Sequence, residues 1–287
     1  MPVTSPIDAA RITELTDRDT RFTRPGSGGI TVVANTDSTN AHLSRMVRSG
    51  QTGFRILVAD HQDGGHGRFS RPWQAPAGTA LLMSALVSAS RDPQDWGWLS
   101  MVAGLAVTEA IEATTGAGRD RVTLKWPNDV LLDQHREHGG KLCGILSERV
   151  EGPAGSHAVI GIGINTSMDR SELPVPTATS LALCGLAHDR ERLAAAVVEA
   201  LDHLIGVWLA TGTVRGIYRD RCDTIGRPVR LTFDPAKVGG GPTRIEGVGA
   251  DIEMDGSIVV ATAEGRRSFS AADVEHLRPV GNPRLTP

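Results

Sequence analysis

Gln62-Asp63-Gly64-Gly65-His66-Gly67-Arg68-Phe69-Ser70-Arg71-Pro72-Trp73 joins two strand-like stretches, and its reading decides how the rest of the chain is understood. Residues 54–59 form a compact apolar run and residues 79–87 form another, so each is expected as a buried strand. The glycines of the connection let the backbone approach an anion closely, and Arg68 and Arg71 add permanent positive charge. A glycine-flanked cationic loop between two buried strands reads as an anion-holding turn.

Outward from that loop, residues 30–34 are expected as a strand, and Asp37-Ser38-Thr39-Asn40 as the cap of a short helix reaching about Ser49. Residues 7–15 could form one more short helix. Residues 95–115 carry Leu99, Val102, Ala103, Ala106 and Ala110 at helical spacing, which predicts a central helix ended by Gly116 and Gly118. Short strands follow at 122–125 and 130–132, then a polar hairpin loop at 133–140. Strands are expected at 142–150 and 157–164, an irregular stretch at 166–188, and a second long helix at 190–210. Past Cys222 the texture changes: Val229, Leu231 and Phe233 alternate, and Asp255-Gly256 marks a hairpin turn. The pattern predicts an α+β fold with a mixed sheet over residues 1–222, of which 1–29 are an extension, and a small all-β domain over 223–287.

Several functions are excluded by what is present. Gly161-x-Gly163 would need a third glycine at the position of Thr166, so the dinucleotide fingerprint fails. Gly140-Lys141 is followed by Leu142, and His135 stands where a phosphate-binding loop needs glycine. His135 and His138 lie in a polar loop that reads as solvated, so no metal site is assigned. Thirty basic against 33 acidic residues, with no basic run longer than two, leave no field for nucleic-acid binding. Asp8, Glu14, Asp17 and Asp19 make the N-terminus acidic, without the apolar core of a signal peptide. No uninterrupted apolar run approaches the ~20 residues of a membrane span. Cys143, Cys184 and Cys222 show no C-x-x-C spacing and read as reduced core residues of a cytoplasmic protein.

Four further segments complete a constellation with the loop. They are Ser38-Thr39-Asn40, Lys125-Trp126-Pro127-Asn128-Asp129, Gly140-Lys141-Leu142-Cys143-Gly144-Ile145-Leu146 and Gly161-Ile162-Gly163-Ile164-Asn165. In this order the chain resembles the biotin protein ligase family, from about Val32 to Asn165 and again in the small C-terminal domain. The resemblance implies a class II synthetase-like catalytic domain followed by an SH3-like domain. It also implies two reactions. The carboxylate of biotin attacks the α-phosphorus of ATP to give biotinyl-AMP and pyrophosphate, and a lysine amine of a carrier protein then displaces AMP. Bringing anions together in this way calls for fixed cations, backbone N–H groups and Mg²⁺ bound mainly through the phosphates.

Carried over by motif, the resemblance assigns Ser38, Thr39, Asn40 and Gln62 to the biotin pocket. Gly65, His66, Gly67 and Arg68 would close over biotin and the adenylate phosphate, with Trp73 nearby. Lys141 would contact carboxylate and phosphate. Lys125, Asn128 and Asp129 would serve the adenylate and the incoming lysine, with Asp129 orienting or deprotonating its amine. Gly144, Gly161, Gly163 and Asn165 would lie against the ligand. Arg68, Lys125, Asp129 and Lys141 are the expected catalytic set. Ser38-Thr39-Asn40 also reads as a plain helix cap, Trp73 and Trp126 as packing residues, and Arg71 as either a ligand contact or a pin holding the loop to its own protein. The family loop usually reads Gly-Arg-Gly-Arg. His66 replaces one arginine, so the turn loses a permanent charge and weaker or pH-dependent retention of biotinyl-AMP is expected.

The implied partner is the biotin carboxyl carrier domain of acyl-CoA carboxylases. No nucleic-acid or membrane partner is expected, and the chain is expected to be a monomer or a weak homodimer. Lipoate or octanoate attachment is the nearest rival, and it would need a long apolar slot in place of polar groups for a ureido ring. A DNA-binding repressor is disfavoured because only about 30 acidic-leaning residues precede the first core strand. Retention of Arg68, Lys125, Asp129 and Lys141 argues against a non-catalytic relative.

Overall fold

A computed structural model describes residues 6–17, 19–88, 91–233 and 243–277. The chain runs α1 (Ala9–Leu15), β1 (Gly29–Thr36), α2 (Thr39–Arg48), β2 (Arg55–Gln62), β3 (Ala80–Val87), α3 (Leu99–Thr115), β4 (Val122–Lys125), β5 (Asp129–Leu132), β6 (Gly140–Gly152), β7 (Gly155–Asn165), α4 (Arg190–Thr211) and α5 (Arg215–Arg219). These strands form one seven-stranded sheet in the order β1-β2-β3-β7-β6-β5-β4. β1 and β2 are parallel, with Gly29 opposite Arg55 and Thr36 opposite Gln62, and every other neighbouring pair is antiparallel. The sheet is therefore mixed, as the α+β reading requires.

β3 shows how the sheet separates the long helices α3 and α4 on one face from α2 and the site on the other. All eight of its residues are buried, and alternate side chains enter different clusters. Leu81, Met83, Ala85 and Val87 join the main core with α3 and α4. On the opposite face Leu86 meets Leu43 and Val47 of α2, while Ala80 and Leu82 meet Met168 and Leu173. Strand periodicity of two produces this division. Ser84 lies on the α2 face between the two smaller clusters and is fully buried.

Helix α3 differs from its expected amphipathic form in two ways. It begins at Leu99 and not at Asp95, because residues 93–98 form a tight 3₁₀ turn containing Gly97. The Trp98 indole N–H donates to the Met254 carbonyl at 3.0 Å, which draws this turn toward the C-terminal sheet. The helix is also buried almost all round, since α4 covers the side that the sheet does not. α4 is long and apolar enough, by length and composition, to cross a membrane. Its residues Leu193, Val197, Leu201, Leu204 and Trp208 are instead buried in the core. Strands β6 and β7 extend beyond their expected ends because Gly152 pairs with Gly155 and closes a two-residue turn. The five-residue helix α5 was not legible in the sequence.

The C-terminal residues form a five-stranded antiparallel sheet of β8 (Pro228–Thr232), β9 (Arg244–Ile252), β10 (Ile258–Thr262), β11 (Gly265–Phe269) and β12 (Asp273–His276), ordered β11-β10-β9-β8-β12. This is the small β domain expected after Cys222. The expected boundary at 222/223 falls between α5 and β8, and the last ten residues of the expected 223–287 span lie outside the described residues. Trp126 fastens this sheet to the first domain. Its side chain is buried, its indole N–H donates to Gly256 O at 2.9 Å, and its backbone N–H donates to Thr224 Oγ1 at 3.0 Å.

Candidate active site

A cavity of about 820 Å³ opens on the sheet face beside α2. Its floor is polar and closely wired. Gln62 ends β2, and its Oε1 accepts from Thr39 N–H at 2.7 Å and from Thr39 Oγ1 at 3.0 Å. With Oε1 so occupied, the Gln62 amide nitrogen is the end left to donate elsewhere. Ser84 Oγ lies 2.7 Å from both Thr39 Oγ1 and Asn40 Oδ1. It has one proton for two acceptors, so Asn40 Oδ1 keeps spare accepting capacity. Gly161 sits against Asn40: a Cβ there would lie 2.5 Å from Oδ1. Ser38 caps α2 by accepting from Ala41 N–H at 3.4 Å and also lines the cavity, so capping the helix does not remove it from the cavity wall.

The cationic wall comes from the β4–β5 hairpin and β6. Asp129 Oδ1 lies 2.6 Å from Lys141 Nζ, and its Oδ2 lies 3.5 Å from Lys125 Nζ. Register explains this meeting, since β5 pairs with both neighbours and Lys125 stands directly opposite Asp129. The Trp126–Pro127 peptide between them is cis. Asn128 is fastened to β6 by a reciprocal pair: Ile145 N–H donates to its carbonyl at 2.9 Å, and its Nδ2 donates to Ile145 O at 2.8 Å.

The loop closes over these groups. Arg68 donates to Asn128 Oδ1 at 3.3 Å and to Ala272 O of the C-terminal domain at 3.0 Å. Burial draws its pKa below the usual guanidinium value, while the carboxylates of Asp273 and Asp129 oppose that shift. Arg71 is mostly exposed and pairs with Asp273, so it pins the loop to its own protein. Phe69 and Ser70 hold φ of 56° and 55°, a left-handed conformation that non-glycine residues seldom adopt. The side chains of Arg68 and Arg71 lie 5.4 and 5.7 Å from the Phe69 ring centre. His66 is exposed, with Nδ1 3.4 Å from Gly64 O, and with Gly67 it borders the cavity mouth.

Trp73 lies flat over two facing glycines. Gly144 and Gly163 are paired across β6 and β7, and a Cβ on either would come within 2.8 or 2.6 Å of the indole. Its ring centre is 5.9 Å from Lys141 Nζ. Its buried indole N–H has no hydrogen-bond partner, which leaves a donor at the cavity. Two expected site residues do other work. Gly65 is not on the cavity surface; it carries the turn, accepting from Trp73 N–H at 2.8 Å. Asn165 borders the cavity, but its amide donates to Thr179 O at 2.9 Å.

Sequence reasoning passed over Ser84, Glu148 and Asp273. Ser84 had a signal, being the one polar residue between Ala80 and Val87. Glu148 and Asp273 had none, since each acts across more than a hundred residues of chain. The polar loop containing His135 faces Arg227 of the C-terminal domain, and no group of three metal-binding side chains occurs among the described residues. All three cysteines are free, and burial pushes the Cys143 and Cys222 thiols up.

The biotin/lipoate A/B protein ligase family model matches residues 11–165, more than half of the chain. The chain belongs to this family. It is 37% identical over 259 residues to a biotin–[acetyl-CoA-carboxylase] ligase of Mycobacterium tuberculosis, covering 88% of this chain and 91% of that one. It is 32% identical over 238 residues to the bifunctional ligase/repressor BirA of Escherichia coli, covering 80% of this chain and 71% of that one. Among solved structures, the biotin protein ligase of Aquifex aeolicus in complex with biotin and ATP superposes with a TM-score of 0.69 at 25% identity. That match covers 87% of this chain and all of the other. The family's fold accounts for the mixed sheet.

Proposed function

We propose that this protein activates biotin with ATP and transfers it to a lysine of a biotin carboxyl carrier domain of acyl-CoA carboxylases. The observation that carries the reading is one cavity in which a donor–acceptor floor faces a cationic wall. Gln62 Nε2 and Asn40 Oδ1 suit the carbonyl and N–H groups of a cyclic urea, and an acyl slot for lipoate would not need them. Lys141, Lys125 and Arg68 face the end where the carboxylate and phosphate meet.

In the first step a biotin carboxylate oxygen attacks the α-phosphorus and pyrophosphate leaves. Lys141 and Arg68 oppose the negative charge that gathers there. Bound through the nucleotide's phosphates, Mg²⁺ would add neutralising charge there. The lining suits a metal carried by nucleotide, because Asp129 is committed to two lysines, Asp273 to Arg71 and Glu275 to Arg230. In the second step the carrier amine attacks the acyl carbon, the acyl–phosphate bond breaks and AMP departs. Asp129 takes the amine proton. A phosphate that draws Lys141 away frees Asp129 for this role, so the carboxylate is released as the adenylate forms. The protein works in the cytoplasm as a monomer or weak homodimer, with residues 1–222 as the catalytic domain.

The test is incubation with biotin, Mg-ATP and a carboxylase carrier domain, with lipoate in parallel. Biotinylated carrier is expected and lipoylated carrier is not. Absence of biotinylated carrier overturns the reading.

A further inference from the structure

Asn40 is held from behind by a residue outside the cavity. Its Nδ2 donates to Glu148 Oε2 at 2.6 Å and to Leu146 O at 3.1 Å. A carboxylate and a backbone carbonyl can only accept, so the amide has one permissible orientation and Oδ1 must face Ser84 and the cavity. Glu148 itself does not line that cavity. It stands on the wall of a second one, of about 630 Å³, between the loop, β6 and the C-terminal domain. Of the two contacts behind Asn40 the one to Glu148 is shorter and involves a full charge, which makes it the stronger. Such a bond also polarises the amide and makes its oxygen a better acceptor.

We propose that Glu148 is a positioning residue, which helps fix the polarity of the ureido end of the biotin pocket through Asn40. The proposal rests on the biotin reading above. Glu148 touches no substrate: together with Leu146 O it holds the Asn40 amide with Oδ1 toward the cavity, and its shorter bond strengthens that atom as an acceptor. The two variants that test it leave the bulk of the side chain in place. Glu148→Gln keeps an acceptor and loses the charge, whereas Glu148→Met keeps the length and loses both.

Binding of biotin and of dethiobiotin, which keeps the ureido ring but lacks the thiophane ring, is measured by calorimetry. KM for ATP comes from biotin-dependent pyrophosphate exchange. Affinity should fall in the order wild type, Gln, Met, reaching about tenfold for Met. The fold-loss should be the same for biotin and dethiobiotin. KM for ATP, and kcat at saturating biotin, should stay within about twofold of wild type. A purely structural role would move the ATP parameters too. Unchanged affinity in both variants, or an equal rise in KM for ATP, overturns the proposal. If Glu148→Met does not fold, the Gln variant alone decides. A wild-type protein that binds no biotin overturns the underlying reading and the proposal with it; a biotin-binding wild type with unaltered variants overturns the proposal alone.

Discussion

Replacing Gly161 by alanine tests the pocket floor with one methyl group. Gly161 lies on β7 opposite Ser84 and Leu146, and its φ is not in the left-handed region, so alanine meets no backbone strain. The methyl carbon would sit 2.5 Å from Asn40 Oδ1 and 3.0 Å from its Cγ. Ordinary contact requires Asn40 to retreat by roughly an ångström. Asn40 has no room for this, since it is 4% exposed and held by Leu146, Glu148 and Ser84. Overpacking of this kind costs about 1 to 3 kcal/mol, and a displaced Oδ1 no longer meets a ureido N–H. Where that cost falls on the bound state, KM for biotin rises about 5- to 140-fold. Pyrophosphate exchange at varied biotin and varied ATP separates the terms, and KM for ATP should hold. Gly163→Ala is the contrast. Its methyl meets the indole of Trp73, 2.6 Å away on a loop, so it should disturb both substrates. A Gly161→Ala protein with wild-type KM for biotin would refute the reasoning from the floor upward.

Lys141→Ala removes the 2.6 Å partner of Asp129 and the cation proposed to face the reacting phosphate. Single-turnover adenylation should slow about 10²- to 10³-fold, and a smaller loss than tenfold would place the charge elsewhere. Arg71→Ala breaks a pair whose arginine is 68% exposed, so the change in stability should stay under about 1 kcal/mol. Arg68→Ala should release biotinyl-AMP faster than Arg71→Ala does, because Arg68 is half-buried and reaches Asn128 whereas Arg71 is mostly exposed; equal release rates count against that division. His276 is pulled down to about 4 from 6.5, first by burial and then by the charge of Lys125. The unfolded chain therefore binds a proton between pH 6.5 and 4 that the folded chain refuses, and stability falls as pH drops through that window. Melting temperatures at pH 7 and 4.5 should diverge less in His276→Gln, and an unchanged difference would assign the effect to other groups.

The parts of the site that were legible in the sequence are those whose chemistry is local. Asp129 lies four residues from Lys125 in one hairpin, and Lys141 lies at the start of the adjacent strand, so only two turns separate the residues that the resemblance groups. Gly161 and Gly163 could be recognised because a glycine on every second residue of a strand clears one face. Arg71 could not be assigned, since its partner Asp273 lies 202 residues on in a domain whose docking no local pattern reveals. The same distance concealed Ala272, which holds Arg68, and Gly256, which holds Trp126. The start of α3 was misplaced for a related reason. Its apolar spacing continues into residues 95–98, but the bond from Trp98 to Met254 helps decide where the α-helix begins.

These distant contacts have a common consequence for the unliganded protein. A site built to gather anions has to hold several cations close together before any anion arrives, and uncompensated charges of one sign would repel one another in a half-buried cavity. Each cation here is answered from within the chain. Lys125 and Lys141 share Asp129, Arg71 has Asp273, and Arg68 has neutral acceptors at Asn128 and Ala272. Two of these answers come from the C-terminal domain. The C-terminal residues Ala272 and Asp273 are therefore part of the loop's support. Arg68 is the cation whose partners are both uncharged. A phosphate offers it the full negative charge that its acceptors lack, so the largest gain on binding is expected at the residue the loop carries over the cavity.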